Sequence, residues 1–117
     1  MIIFVQNHLS MCQFKSWYVD GNGYVVNCEN CKYFQVCFGT TMLTLSAEDY
    51  QVFALIVARK KEDHVPMHDP NIRCVVLPTP SSTIHFLLTE KELELLYNML
   101  QEVDNEMKTR QLIELFH

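Results

Sequence analysis

Glycine and proline are scarce, three and four in 117 residues. That excludes a collagen-like repeat, a low-complexity linker and a mainly disordered chain. Basic residues are also few, nine Lys and Arg against fourteen Asp and Glu, a net charge of −5. Such a balance repels a phosphate backbone, so nucleic acid is not an expected partner. No apolar run approaches the roughly 18 residues of a membrane helix, and the stretch Met1-Ile2-Ile3-Phe4-Val5 lacks the basic flank and the length of a signal peptide. The expectation is a cytoplasmic protein with no membrane partner. Catalytic signatures are missing too: there is no Gly-rich phosphate loop, no Gly-x-Ser-x-Gly elbow and no carboxylate pair in an apolar setting. No catalytic residue is named, and the chain is read as a binding domain rather than an enzyme.

What is present is apolar: 49% of the residues. A chain this long buries roughly two-thirds of its unfolded surface, which suffices for a core without disulfides. The reading is a single domain over residues 1–117. Its charge and its aromatics are unevenly placed. Residues 1 to 45 balance Lys15 and Lys32 against Asp20 and Glu29, so the acidic excess lies in the remainder, whereas eight of the thirteen aromatics fall in those first 45 residues. Aromatics suit strands, and acidic faces suit solvated helices.

The local patterns agree. Phe14 to Val19 and Tyr24 to Cys28 are β-rich runs around Asp20-Gly21-Asn22-Gly23, residues that tolerate positive φ and favour a tight hairpin. Tyr33 to Phe38 and Thr40 to Leu45 follow as strands, with Gly39 as a bend. Ser46 and Asp49 resemble a capping box, so a helix is expected from Ala47. In it Tyr50, Phe53, Ala54 and Val57 share one face, and Arg59-Lys60-Lys61 complement the dipole at its end. Val52, Leu55 and Ile56 widen that stripe, which implies a sandwiched helix or a homodimer contact. His64 to Pro70, with two prolines, reads as loop, and its His64, His68 and Asp69 as solvated. Ile72 to Leu77 and Thr83 to Leu88 form a second strand pair, with His85 facing away from Ile84, Phe86 and Leu88. Thr89 and Glu92 form a full capping box, and Leu93, Leu96, Tyr97, Leu100, Val103 and Met107 draw one stripe down a second helix. Leu112, Ile113, Leu115 and Phe116 fall off its register, so a break is expected near Lys108-Thr109.

The order β-β-β-β-α-β-β-α implies an α+β fold: an antiparallel sheet of about six strands with both helices packed on one face. The hairpins exclude a doubly wound parallel sheet. A faint echo recurs at an offset of 43 residues, pairing Leu45 with Leu88, Tyr50 with Leu93, Phe53 with Leu96 and Val57 with Leu100.

The one motif with chemical content is Cys28-Glu29-Asn30-Cys31. Five cysteines, an odd number without a secretory context, point away from a disulfide framework and toward metal binding or burial. Two thiolates two residues apart on a turn reach one zinc ion at about 2.3 Å, and a tetrahedral structural site needs four ligands. If Gly21-Asn22 is a two-residue loop, paired positions sum to 43, which sets Cys12 across from Cys31. Cys12, Cys28 and Cys31 are therefore the candidate zinc ligands. The fourth is open among His8, Cys74, His85 and His117. Cys37, six strand residues from Cys31, is assigned to the core. Lys32 stands where a zinc knuckle commonly has Gly. The competing chemistry is thiol-disulfide exchange at Cys28 and Cys31, but such a pair usually opens a helix, and here a strand follows. Trp17, Tyr18 and Tyr24 are expected to pack rather than to form an open aromatic platform.

With Met11-Cys12, the Cys-x-x-Cys after the first hairpin, Phe38-Gly39 leading into Leu43-Thr44-Leu45-Ser46, and two capped helices, the chain resembles a small uncharacterised bacterial family, a domain of unknown function. The resemblance runs from Met11 onward. It implies no activity, it carries over only Cys12, Cys28 and Cys31, and it makes residues 1–10 an N-terminal extension with Met11 as an alternative start. The partner expected is a protein or a small ligand.

Overall fold

The computed structural model describes residues 13–66 and 69–116. Six strands and two helices follow in the order β1 (Phe14–Val19), β2 (Gly23–Cys28), β3 (Phe34–Phe38), β4 (Thr41–Leu45), α1 (Ala47–Asp63), β5 (Val75–Pro78), β6 (His85–Leu88) and α2 (Glu90–Leu115). Every strand pairing is antiparallel, and the fold is α+β. The strands divide into two sheets, β1-β2-β3-β4 and β5-β6, rather than one of six. The second hairpin stays short because β5 and β6 have four residues each and Pro78 has no N–H to donate. The chain likewise divides into two compact units, one up to Ala47 and one from Glu48.

The first unit is a meander whose strands β2, β3 and β4 pair in one continuous register. Val25 pairs with Val36, and Val36 with Leu43, so one face collects Val25, Phe34, Val36, Phe38, Leu43 and Leu45, all buried. Two glycines are required here. A Cβ on Gly23 would stand 2.0 Å from the Cys37 carbonyl oxygen, and Gly39 takes φ +60° at the β3–β4 turn. The first reversal is built differently from the sequence expectation. Gly21 and Asn22 do not adopt positive φ; instead the Asp20 carboxylate accepts the N–H groups of Asn22 and Gly23, at 2.7 and 3.1 Å.

In the second unit the β5–β6 hairpin buries Val75, Leu77, Phe86 and Leu88 on one face and exposes Val76, Leu87 and His85 on the other. Helix α1 sets Phe53 against Phe86, ring centroids 6.1 Å apart, and α2 buries Leu93, Leu96, Met99, Leu100 and Val103. His64 Nε2 and Glu90 Oε2, 2.6 Å apart, join the end of α1 to the first turn of α2. At the head of α2 the Thr89 hydroxyl accepts the Glu92 N–H, and the Glu92 carboxylate accepts the Thr89 N–H.

The break expected near Lys108-Thr109 does not occur: α2 continues to Leu115. Ion pairs at i,i+4 from Lys108 to Asp104 and from Arg110 to Glu106 span that stretch, and the Thr109 hydroxyl donates to the Asn105 carbonyl. The off-register residues Leu112, Ile113, Leu115 and Phe116 are simply exposed on the last turns. No described helix is long and apolar enough to cross a membrane.

Two expectations follow for the start of α2. Thr89→Ala lowers the unfolding free energy by about 1 kcal/mol in urea titrations, since it orphans the Glu92 N–H. Partial burial alone would raise the Glu92 carboxyl, but hydrogen bonds from Thr89 and Arg73 and the Arg73 charge outweigh it and hold the group below its ordinary 4.5. A folded value below the unfolded one contributes stability that is complete above the ordinary value and is lost as pH falls through the folded value. Glu92→Gln should therefore unfold at neutral pH more readily than the parent, with the difference shrinking as pH falls below the ordinary carboxylate range.

Candidate metal centre at the β2–β3 turn

The turn from Cys28 to Tyr33 closes on itself. The Cys28 carbonyl accepts the Lys32 N–H at 2.8 Å, and the Cys28 N–H donates to the Tyr33 carbonyl at 2.9 Å. Within the loop the Cys31 N–H donates to Cys28 Sγ at 3.3 Å. Lys32 completes the turn at φ +68°, the one positive φ taken by a non-glycine among the described residues. A zinc knuckle commonly has Gly at this position, and φ +68° is a conformation that glycine takes freely and lysine does not. The left-handed backbone at Lys32 has no mark in the sequence.

The thiols differ in access. Cys28 is 1% exposed, and Cys31 is open to solvent. Cys37 is buried, as expected, and the Tyr24 hydroxyl reaches it across the β2–β3 pair. That hydrogen bond to Cys37, with burial, pushes the Tyr24 phenol up to about 12. Burial also pushes the Cys37 thiol up, against the Tyr24 hydrogen bond. A buried thiol of this kind is a core side chain rather than a nucleophile.

Cys12 lies outside the described residues, as do His8 and His117. The geometric reason for including it is corrected in part. Tyr18 pairs with Val25 and Val19 with Tyr24, in the expected register, but an extra residue at Trp17 shifts the ladder. Beyond it Ser16 pairs with Val26 and Phe14 with Cys28, and the Glu29 N–H donates to the Gln13 carbonyl at 3.0 Å. The sum of 43 thus becomes 42 on the side that leads toward Cys12. A bulge of this kind has no mark in the sequence. It does place the chain just after Cys12 alongside the residue that follows Cys28. Cys74 is partly exposed and His85 exposed, both in the second unit. Among the described residues no three His, Cys, Asp or Glu side chains converge on a point.

Trp17, Tyr18 and Tyr24 are half-buried, and none of them enters the core. Trp17 Nε1–H donates to Asn27 Oδ1 at 2.9 Å, and the Lys15 ammonium sits 4.8 Å from the indole centroid. In the second unit a groove between α1 and α2, about 210 Å³, is lined by Leu55, Tyr97, Gln101 and Asp104, with Tyr50 at its wall. Burial first, and the Asp104 charge second, push the Tyr50 phenol up. The groove is smaller than the roughly 300–1,000 Å³ of small-molecule sites.

Residues 11–115 match the model of DUF6686, a family of unknown function. No curated protein and no solved structure matches the chain.

The strain at Lys32 gives a direct test of the turn. Lys32→Gly should raise stability by about 0.5–1 kcal/mol in denaturant titrations, because glycine takes φ +68° without a Cβ penalty. Lys32→Val should lower it, since a β-branched residue is an outlier there.

Proposed function

From the premise that the chain belongs to the family of unknown function DUF6686, we propose that it is a small interaction domain whose Cys28–Cys31 turn, with Cys12, holds a structural zinc ion. The observation that carries this reading is the turn itself: a Cys-x-x-Cys loop closed by an N–H to sulfur contact and by a left-handed residue just after the second Cys. Two thiolates presented from one such loop form half of a tetrahedral site. Cys12 supplies a third sulfur from the chain preceding β1, whose register brings Gln13 beside Glu29. The fourth position is open. Zinc in this place ties the start of β1 to the β2–β3 turn, fixing an edge strand that otherwise holds to the sheet on one side only.

Thiol-disulfide chemistry at the same pair has less support. The turn joins two strands rather than opening a helix, so no helix dipole favours a thiolate there. The α1–α2 groove of the second unit is smaller than the usual small-molecule site.

Elemental analysis of the protein purified under reducing conditions tests the reading. About one zinc per chain is expected, lost in Cys28→Ser and Cys12→Ser and retained in Cys37→Ser. A folded, zinc-free parent protein overturns it. In that case a measurable Cys28–Cys31 redox couple would put thiol exchange in its place.

A further inference from the structure

The other face of the four-stranded sheet carries no charge. Pairing sets Val19, Tyr24, Cys37 and Met42 in one row across all four strands, and Ser16, Val26, Gln35 and Thr44 in the next. The third row holds Phe14, Cys28 and Tyr33, joined by the Phe14–Cys28 pair and the Cys28 N–H to Tyr33 bond. No Asp, Glu, Lys or Arg stands on these positions. The open face of an antiparallel sheet ordinarily alternates to polar residues. Here Val19 is 66% exposed, Met42 55%, Tyr33 49% and Phe14 47%, on the outer strands and at the strand ends, while Cys28 and Cys37 between them are buried. Charge depletion with enrichment in aromatics and Met is the composition of an interface core.

We infer that this face binds a second copy of the chain, sheet against sheet. Its neutrality favours a copy of itself over a charged partner. Each chain has a net charge of −5, yet Lys15 and Lys32 balance Asp20 and Glu29 through residue 45, so two first units meet without net repulsion. The face is also self-complementary. A two-fold axis along the middle row lays the row of Val19 over the row of Phe14 in the second copy. It brings Gln35 onto its own counterpart, where an amide both donates and accepts. Four strands ~4.8 Å apart and three rows ~6.7 Å apart make a footprint of roughly 400 Å² in projection. With side-chain relief that approaches the ~600 Å² per partner of the smaller specific interfaces, which fits a reversible dimer of micromolar affinity. The outer face of α1 is the weaker candidate, since its exposed Val52 and Leu55 lie among Glu48, Gln51, Arg59 and Glu62.

Sedimentation equilibrium over a micromolar to sub-millimolar range tests the inference on the full chain. The parent should form a dimer that Val19→Glu and Met42→Glu each weaken at least ~10-fold, as expected for interface-core positions. Leu55→Glu, on α1, should leave it unchanged. Both sheet residues are more than half exposed, so the variants keep the parent's circular dichroism and melting behaviour. A monomer at every concentration overturns the inference. A dimer that resists both sheet variants also overturns it, and loss of the dimer in Leu55→Glu alone would assign the contact to α1. None of these outcomes depends on zinc content, which is measured separately.

Discussion

Val25 and Val36 lie opposite one another on the two central strands of the meander, both wholly buried, and their register constrains everything in the first unit. A slip of one residue on either strand would turn the other uncharged row inward and bring the buried one out. Hydrophobicity alone does little to prevent this, because both faces of β2 and β3 are largely apolar. Backbone geometry does. Gly23 admits the Cys37 carbonyl where a Cβ would clash, Gly39 supplies the positive φ of the second turn, and the Gly39 N–H donates to the Asn22 carbonyl at 2.9 Å. The two hairpin turns are thus bonded to each other, and the register at one end of the sheet sets the rest.

The second unit relies on helix faces rather than on ladders. The offset of 43 residues gains physical content from burial. Leu45 and Leu88, Tyr50 and Leu93, Phe53 and Leu96, and Val57 and Leu100 are all buried. Both helices begin at matching positions after matching strands, Ala47 after β4 and Glu90 after β6. A strand whose alternate residues point inward, followed directly by a capped helix, must place its first core-facing helical residue within the opening turn. Shared geometry therefore accounts for the echo.

Most of this architecture was legible because it follows short periods. The hairpin at Gly21-Asn22, the bend at Gly39, the start of α1 at Ala47 and the capping box of Thr89 and Glu92 all rest on residues within four positions of one another. Three features were not legible, each for a reason. The break expected in α2 came from a change of apolar face, but a helix ends only where its backbone hydrogen bonds lose to something else. Residues 104–110 instead contain two i,i+4 ion pairs and no Gly or Pro. The bulge at Trp17 moves no residue type out of place, so composition and spacing are silent about it. The left-handed Lys32 reads as an ordinary surface lysine until its dihedral angle is known. Of the candidate site, the Cys28–Cys31 pair and the burial of Cys37 were readable. The conformation that makes the pair a presenting loop was not.

The bulge and the turn bear on one another. An antiparallel ladder without an extra residue would carry a single register along all of β1, and the residue before Gln13 would then lie opposite the exposed Cys31. With Trp17 inserted, the ladder closes one residue earlier, on Phe14 and Cys28, and its last bond joins Gln13 to Glu29. A bulge also bends and twists its strand. The Trp17 indole is held by Asn27 on β2, which fixes where that bend occurs. The approach of the chain toward the thiol loop is thus governed by an aromatic side chain near the middle of the edge strand, anchored on the neighbouring strand some distance from the sulfur atoms. A loss of the Trp17–Asn27 bond would be felt at the loop through the register alone, with no change to any cysteine.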